Sequence, residues 1–338
     1  MTTKISLQAL VPPTHDGSRL DQAAAALFPE YSRGRLQTWI KEGGLLVNGK
    51  LLRGKDKINA GDKLVLETVL AIEEAHAPEE VDLNIVYEDD DVIVLNKPVN
   101  TVVHPAAGNR TGTLLNGLLH HCPQLMGVPR AGIVHRLDKD TSGLMVVGKD
   151  LPTQTDLVRQ LQARTVKREY WCIVWGTPRM SGTIDASMGR DQKDRVKMAV
   201  SSSMGSKPAI THYQRLAEGV LDGRPVSLVQ CRLETGRTHQ IRVHMAHLGF
   251  SLIGDQVYGK QHMAHIFPRQ ALQARRLGLI HPFTGAQMEW NVPLAEDFIE
   301  LMQRAGIEEP DEAALAAAAA GHGAYEDYDI YDDEFDDE

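Results

Sequence analysis

The sequence predicts an α+β protein of two domains, in which a small helix-and-hairpin domain precedes a larger one built on a mixed, mainly antiparallel sheet. The length of 338 residues and the apolar fraction of 42% suit two folded cores. Strand-like runs dominate beyond residue 85 without regular alternation with helices, which disfavours a parallel βαβ sheet. Residues 71–85 combine Ala, Glu and Pro with little bulk, as linkers do. We therefore divide the chain into residues 1–70, 71–85, 86–304 and 305–338.

The first domain, with its core at 18–67, is predicted to begin with an edge strand at 5–11, where apolar and polar residues alternate. Ser18 is placed to cap a first helix, whose apolar residues recur at helical spacing. A second helix is expected from Ser32, with a buried stripe of Leu36, Trp39 and Ile40. The remaining elements are a hairpin with an Asn-Gly turn and a strand, at 45–50 and 63–70.

The second domain contains more strand-like than helical segments. The predicted strands are 92–96, 133–135, 143–147, 169–176, 209–216, 226–233, 277–281 and 288–292. The predicted helices are 114–121, 151–163, 238–247 and 294–304. Beyond them, an Ala-rich run leads into an acidic tail, which we expect to be a frayed helix running into disorder.

The net charge is −9, with 36 Lys and Arg against 45 Asp and Glu, and taken alone it argues against a nucleic-acid partner. The charge is unevenly distributed, however. Residues 92–304 contain 26 bases and 16 acids, a net charge of +10, and residues 18–67 have a net charge of +3. The acidic segments, 68–91 and 305–338, contain no Lys or Arg. Two basic blocks therefore remain for binding a polyanion.

Several classes of protein are disfavoured by what the sequence lacks. No apolar run reaches the roughly 18 residues of a membrane span, and the first residues have no signal-peptide core. Three widely spaced cysteines form neither a zinc pattern nor a disulfide framework, so we expect a reducing cytoplasm. Phosphate-binding and dinucleotide-binding glycine motifs are absent, so no nucleotide cofactor is expected.

A polar loop at 135–143, H-R-L-D-K-D-T-S-G, lies between two apolar strand-like runs. Loops held by a rigid sheet are favoured places for catalysis. Asp138 is close in sequence to Arg136 and Lys139, whose charges favour the ionised carboxylate, so it could act as a nucleophile or a base. The alternative from the pattern alone is a surface turn rich in Asp, Thr, Ser and Gly.

A second candidate is the segment 237–247, R-T-H-Q-I-R-V-H-M-A-H. As a helix it has one buried stripe, formed by Ile241, Met245 and Leu248. Its other faces carry Arg237, Arg242 and His244. The histidines suggest a metal site, but the H-E-x-x-H pattern is absent and no acidic residue has a helpful spacing. We favour a basic helix facing an anionic substrate, with a solvated basic face as the alternative.

Two further patterns have simpler structural explanations. The strand-like run 166–176 places Tyr170, Cys172 and Val174 on one face, so that Tyr170 could be an ordinary core aromatic. The run Asp89-Asp90-Asp91 would suit a metal-dependent nuclease, although a solvated acidic turn before a strand is the usual explanation. We predict no metal site from either pattern.

Taken together, the motifs resemble those of one family, the RluA-type pseudouridine synthases. The resemblance rests on H-R-L-D-K-D-T-S-G-L at 135–144, V-L-N-K-P at 94–98 and V-H-P at 103–105. It extends to R-E-Y at 168–170, R-T-H-Q-I-R-V-H at 237–244 and G-D-Q-V-Y-G at 254–259. Residues 18–67 resemble the S4-type RNA-binding domain that often precedes this catalytic domain. Gln273 departs from the family, which usually has His there.

The resemblance implies a role for each matched residue. Asp138 matches the catalytic aspartate, Tyr170 the aromatic that stacks on the target uracil and takes part in late proton removal, and Arg237 the basic residue that pairs with the aspartate. The expected RNA contacts are Arg33, Arg35 and Lys41 in the first domain and Arg136, Lys139 and Arg242 in the second. For the first-domain residues, a solvated helix face is the alternative.

The implied reaction isomerises uridine to pseudouridine: the glycosidic bond breaks, uracil rotates, ribose rejoins at carbon 5, and the carbon 5 proton is lost. It needs no cofactor and no metal. The most similar branch acts on large-subunit ribosomal RNA, with the helix 69 hairpin as the expected target, and we expect a cytoplasmic monomer with no membrane partner. A binding-only ribosome assembly factor and a synthase acting on tRNA are the alternatives. The sequence leaves open whether Asp138 attacks the base, attacks the ribose or promotes elimination.

Overall fold

The structure is a computed structural model that describes residues 4–31, 33–69, 76–105, 109–192, 194, 197–311 and 315. Two main sheets organise these residues, one of three strands near the N terminus and one of nine strands in the remainder. A separate two-stranded antiparallel ribbon, at 188–200, is inserted in the sequence between two strands of the larger sheet. The predicted α+β class, with a mixed and mainly antiparallel sheet, is confirmed.

The N-terminal domain combines a three-stranded antiparallel sheet with two helices. Its elements are β1 (Lys4–Leu10), α1 (Leu20–Leu27), α2 (Arg33–Glu42), β2 (Leu45–Val47) and β3 (Lys63–Val69). The strand order is β1-β3-β2, so β1 is an edge strand as predicted. The predicted helical stripe is buried in a core shared with these strands, and it consists of Leu36, Trp39 and Ile40. Leu151 of the second domain also packs into this core.

The predicted helix cap at Ser18 is wrong. The N-cap of α1 is Arg19, and no side chain caps the helix. Ser18 belongs instead to an extended segment, because its carbonyl accepts the Ile58 N–H at 3.0 Å and Arg19 forms a β-bridge with Lys57. Ser32, the predicted start of the second helix, lies outside the described residues.

The hairpin predicted at 45–50 is only partly formed. Asn48 and Gly49 have φ values of 51° and 76°, the backbone conformation of a tight two-residue turn. The returning arm is a single bridge between Val47 and Lys50, because β2 takes β3 as its partner strand. The Asn-Gly turn was therefore predicted correctly, whereas the strand pairing was not.

The second domain contains the larger sheet and four α-helices among the described residues. Its strands are β4 (Ile85–Glu88), β5 (Val92–Lys97), β6 (Ser142–Gly148), β7 (Lys167–Trp175), β8 (Ser181–Asp185), β9 (Met188–Arg190), β10 (Met198–Val200), β11 (Ile210–Leu221), β12 (Arg224–Leu233), β13 (Leu272–Ile280) and β14 (Gln287–Asn291). Its helices are α3 (Leu114–His121), α4 (Leu151–Gln162), α5 (Gln240–His247) and α6 (Glu296–Arg304). The sheet order is β4-β5-β6-β13-β7-β12-β11-β8, with β14 paired to β13.

One parallel pairing, between β6 and β13, sets the position of the polar loop that precedes β6. Its register places Ala274 opposite Gly143, while Ala274 also pairs with Tyr170 across the antiparallel neighbour β7. Gly143 has φ 114°, and a Cβ there would collide with the backbone of Ala274. Glycine thus permits the close approach of β6 to β13, the strand that separates the start of β6 from Tyr170 on β7.

The predicted strand at 133–135 is reduced to a single bridge between Ile133 and Val147. The chain reaches this point through an unusual turn in which Arg130 and Ala131 have φ values of 53° and 50°. A left-handed backbone cannot continue an extended ladder, so Ile133 forms one bridge and the next strand begins at Ser142 of β6. The polar loop is therefore entered from a turn.

The boundaries of the second domain also differ from prediction. The described part of the linker lies against α3, where Asn116 donates to the Ala77 carbonyl at 2.8 Å. At the other end, Ala305 and Ile307 are buried in the core that contains α6, so ordered packing extends past residue 304. Beyond Asp311 the structure describes Leu315 alone, so most of the predicted tail lies outside the described residues.

Candidate active site

The polar loop, β7 and α5 form the walls of a cleft of about 560 Å³. The cleft brings together residues that are far apart in sequence and that the motifs singled out. They are Arg136, Asp138, Tyr170, Arg237 and Arg242. Apolar side chains such as Ile241 and Leu272 complete the lining, so charged groups stand in a partly dehydrated pocket. Such a setting strengthens electrostatic contacts with a bound molecule.

Asp138 is paired with Arg242 at the wall of this cleft. Its Oδ2 accepts a hydrogen bond from Arg242 Nη1 at 3.0 Å, and its side chain keeps 17% exposure. Burial lowers the pKa of Arg242, but the facing carboxylates of Asp255 and Asp138 outweigh burial and raise it above its ordinary value. The guanidinium is therefore permanently charged, and it holds the Asp138 carboxylate in a fixed orientation.

The prediction that Arg237 pairs with the aspartate is wrong, because Arg242 occupies that position. Arg237 lies in the loop before α5, and its Nε donates to the Pro208 carbonyl at 3.0 Å. The sequence argument assigned Arg242 to a face other than the buried stripe, whereas Arg242 is almost completely buried. Its contact with RNA stays a prediction: Arg242 lines the cleft, while Asp138 and Asp255 already pair with its guanidinium.

The buried polar side chains of α5 explain how this helix is held. Gln240 donates to the Ile210 carbonyl at 3.0 Å and to Thr211 Oγ1 at 2.9 Å, which ties the helix to β11. His244 lies 2.9 Å from the same hydroxyl and 3.0 Å from the Ala186 carbonyl. Burial lowers the pKa of His244 to about 4, so the ring is neutral at pH 7 and takes a structural role.

Lys97 holds the polar loop from the interior of the domain. It is fully buried, and its Nζ donates to three carbonyls, those of Pro98 at 2.7 Å, Lys139 at 2.9 Å and Thr101 at 3.0 Å. Burial lowers the pKa of Lys97 to about 8, against the opposing effect of Asp140 and Asp138. The sequence flagged V-L-N-K-P only as part of the resemblance, and the structure shows that its lysine fixes the backbone next to Asp138.

Tyr170 lies on β7 with its side chain in the cleft wall and is almost fully buried. Burial is the main cause that raises the pKa of its phenol. Two residues earlier, Arg168 is also buried, and its Nη2 donates to the Leu233 and Glu234 carbonyls at 3.3 and 3.0 Å. The pair therefore places an aromatic face and a cation on the same wall of the cleft.

The remaining loop residues predicted to contact RNA are exposed near the cleft. Arg136 lines the cleft itself, and Lys139 follows Asp138 on the loop. Both side chains are exposed to solvent, unlike Arg242. Their positions suit contacts with phosphates on either side of a nucleotide in the cleft.

The N-terminal candidates differ among themselves. Arg33 is tied to the fully buried Asp21, with its Nη2 donating to Oδ2 at 2.7 Å, so it has a structural role. Arg35 is half-buried, with its guanidinium carbon 5.8 Å from the centre of the Trp39 ring. Lys41 is exposed in the last turn of α2. Arg33 is therefore engaged by a buried carboxylate, and Lys41 presents its charge to solvent.

The acidic turn at Asp89-Asp90-Asp91 is tied into the fold. Asp89 accepts hydrogen bonds from the Val92 N–H at 2.8 Å and from Tyr87 Oη at 2.7 Å, and it lies 2.9 Å from His281 Nε2. His281 Nδ1 accepts the Thr284 N–H at 3.1 Å, so Nε2 carries the ring proton and donates it to Asp89. These contacts connect the turn between β4 and β5 to the residue that follows β13.

Fold and site together define an RNA pseudouridine synthase, an isomerase. The chain belongs to the RNA pseudouridylate synthase family, whose family model matches residues 91–247, and an S4 domain model matches residues 18–64. The S4-type RNA-binding domain predicted at 18–67 is thereby confirmed. Among the described residues, no helix is both long and apolar enough to cross a membrane.

Relatives with known names are similar over most of the chain. The ribosomal large subunit pseudouridine synthase D of Pseudomonas aeruginosa is 50% identical over 314 residues, which are 89% of this chain and 96% of that protein. The protein of the same name from Haemophilus influenzae is 49% identical, covering 88% and 94% of the two chains. The one from Escherichia coli O157:H7 is 46% identical, covering 91% and 98%.

Two solved structures share the fold. Human RNA pseudouridylate synthase domain containing 1 superposes with a TM-score of 0.55 at 27% identity, covering 71% of this chain and 95% of that one. Human RNA pseudouridylate synthase domain containing 4 has a TM-score of 0.54 at 25% identity, covering 68% and 95%.

Proposed function

We propose that this enzyme converts uridine to pseudouridine in large-subunit ribosomal RNA, with Asp138 as the carboxylate that reacts with the nucleotide. The observation that carries the proposal is the Asp138–Arg242 pair at 3.0 Å in the wall of a cleft that also contains Tyr170. The ribosomal substrate is supported by relatives at 46 to 50% identity that are named for it.

A uridine within a hairpin stem or loop reaches this carboxylate only after leaving its stack. Base flipping costs a few kcal/mol, and stacking on an aromatic side chain returns about 1–3 kcal/mol. Tyr170 is the aromatic side chain in the cleft wall, so we assign it the stacking role and the late removal of the carbon 5 proton. We assign Arg136 and Lys139, both exposed, to contacts with the backbone of the extruded nucleotide.

The N-terminal domain gives the enzyme a second RNA contact. RNA helices are recognised largely through shape and phosphates, which suits the basic residues Arg35 and Lys41 on α2. We propose that this domain holds the hairpin called helix 69 while the cleft takes its target uridine. We further propose that the enzyme acts as a monomer in the cytoplasm.

The catalytic assignment is tested by Asp138→Asn, with Asp140→Asn on the same loop as the matched control. Asp138→Asn is expected to fold, bind RNA and form no pseudouridine, as measured by carbodiimide labelling of the product RNA. Asp140→Asn is expected to remain active, because the Asp140 carboxylate takes no part in the Arg242 pair. Substantial pseudouridine formation by Asp138→Asn would overturn the assignment.

The substrate is tested by mapping pseudouridines in ribosomal RNA and tRNA from a strain that lacks the gene. We expect sites in helix 69 to be lost and to return on complementation with the wild-type protein. A tRNA site lost instead would reassign the substrate class. Unchanged pseudouridine in both RNAs would favour a binding-only assembly factor.

A further inference from the structure

His239, the residue immediately before α5, has an uncommon backbone conformation. Its φ of 60° and ψ of 20° lie in the left-handed region, which few residues other than glycine occupy. This conformation directs the side chain into the cleft that contains Asp138. Backbone outliers of this kind concentrate at functional sites, which makes the contacts of the His239 ring informative.

The ring stands between a carboxylate and a hydroxyl group. Its Nε2 is 3.7 Å from Asp138 Oδ1, the oxygen that does not bind Arg242. Its Nδ1 is 2.8 Å from Tyr258 Oη. Tyr258 follows Asp255 in the motif G-D-Q-V-Y-G, so two residues of this motif reach Asp138, one through Arg242 and the other through His239.

The contacts of the hydroxyl select one tautomer of the ring. Tyr258 Oη accepts the backbone N–H of Met198 at 3.0 Å, and its own proton then goes to His239 Nδ1. Burial lowers the pKa of His239, which favours a neutral ring with a single proton. With Nδ1 as the acceptor, that proton is on Nε2, the nitrogen that faces Asp138.

We propose that His239 is a positioning residue for Asp138, held by Tyr258 in the tautomer that presents an N–H to the second carboxylate oxygen. This inference rests on the catalytic role proposed for Asp138. Arg242 binds Oδ2 and the Nε2 of His239 faces Oδ1, so a contact at each oxygen would define the plane of the carboxylate. The separation of 3.7 Å exceeds a hydrogen bond, and we expect it to shorten when the nucleotide displaces water from the cleft.

Two substitutions of His239, to side chains of similar length, distinguish this positioning role from a simple packing role. His239→Gln places an amide N–H near the position of Nε2, whereas His239→Met fills the same space without a donor. We expect His239→Met to lower the single-turnover rate about 10- to 100-fold, the usual effect of losing a hydrogen bond to a charged group. His239→Gln is expected to recover most of that loss, and neither variant should change the affinity for RNA.

The tautomer is measured directly by ¹⁵N NMR of histidine-labelled protein. We expect the wild-type ring of His239 to carry its proton on Nε2, and Tyr258→Phe to move part of the population to the Nδ1 tautomer. A wild-type ring protonated on Nδ1 would overturn the inference without any measurement of activity. The same conclusion would follow if Tyr258→Phe left the tautomer unchanged.

The two proposals fail in different ways. If Asp138→Asn is active, the catalytic role of Asp138 is wrong, whatever the variants of His239 do. If Asp138→Asn is inactive while His239→Gln and His239→Met have the same rate, Asp138 keeps its role and the positioning role of His239 is wrong.

Discussion

Arg242 is fixed to Asp255 by two parallel hydrogen bonds, from Nε to Oδ2 at 2.7 Å and from Nη2 to Oδ1 at 2.9 Å. Asp255 is fixed in turn by the backbone N–H groups of Val257 and Tyr258, at 2.9 and 3.0 Å. The guanidinium thus keeps only its Nη1 edge for Asp138, and its orientation is set before any RNA binds. A site held in this way loses little free energy to reorganisation during the reaction.

We expect Arg242→Lys to lower the single-turnover rate at least about tenfold, because one ammonium cannot make the planar contacts that join two carboxylates. The affinity for RNA should change little, since this side chain is enclosed by the protein. Rates and dissociation constants measured on the same RNA hairpin test both expectations.

The matched control is Arg237→Lys, the same substitution on the arginine that the sequence motif first suggested. Its Nε binds the Pro208 carbonyl and not Asp138, so its effect on the rate should be the smaller of the two. A larger loss of rate in Arg237→Lys than in Arg242→Lys would contradict the pairing seen in the structure.

Tyr170→Phe is expected to keep the stacking surface and lose the hydroxyl group that we assign to late proton removal. The RNA affinity should be retained, while product formation in a single turnover should fall about 10²-fold, the lower part of the range for acid–base groups. Tritium release from carbon 5 measures this step directly.

Tyr213→Phe is the matched control for that experiment. Tyr213 is a buried tyrosine on β11, opposite Cys231, which in turn pairs with Tyr170. It is not among the described residues that line the cleft. An equal loss of product formation in both variants would mean that removing a buried hydroxyl group disturbs the sheet, and the proton-transfer role of Tyr170 would be lost.

The sequence identified the loop and the strand that meet at the site more reliably than the contacts between them. Asp138 and Tyr170 were located by motif. The predicted shared face of Tyr170, Cys172 and Val174 is buried in one core, although the opposite face of β7 is buried as well. The partner of Asp138 depends on the packing of α5, where helical periodicity marks only the apolar stripe. Periodicity gives no sign that Arg242 and His244 are buried as well, because the hydrogen-bond partners that stabilise a buried polar residue are distant in sequence.

Other features depend on the order of strands in the sheet. The Lys97 contact with the Lys139 carbonyl requires β5 and β6 to be neighbours, and the place of Asp138 beside Tyr170 requires the parallel pairing of β6 with β13. Local patterns do not encode either pairing. The left-handed backbone at His239 is also not predictable from the residue type, since histidine is enriched in this conformation yet adopts it at only a small fraction of positions.

The N-terminal domain provides a test of stability against pH. Burial raises the pKa of Asp21, but hydrogen bonds from Arg33, Gln37 and Arg19 outweigh it and lower the pKa from 3.8 to about 2. The folded-state pKa is below the unfolded value, so the ionised carboxylate stabilises the domain above pH 3.8, and this contribution is lost as the pH falls toward 2. We expect Asp21→Asn to lower the free energy of unfolding by about 2 kcal/mol at pH 7.

The difference between wild type and Asp21→Asn should shrink as the pH is lowered from about 5. Hydrogen exchange of peptides from α1 and α2, measured across a urea series at each pH, reports on this domain alone. Asp56→Asn is the control, because Asp56 binds the exposed Arg53 and water competes for that contact. A difference between wild type and Asp21→Asn that stays constant from pH 7 to about pH 3 would show that folding does not lower the pKa of the Asp21 carboxyl.

The salt dependence of RNA binding tests the proposed role of α2. Each phosphate contact on single-stranded or duplex RNA contributes about 0.7–0.9 to the slope of log affinity against log salt. The double variant Arg35→Gln/Lys41→Gln should therefore reduce the slope by about 1.4–1.8 if both side chains bind phosphates. Arg224→Gln is the matched control, because exposed Arg224 starts β12 while Leu233, at the other end of that strand, lines the cleft. If the slope is the same in wild type and the double variant, the RNA contact of this domain lies on a surface other than α2.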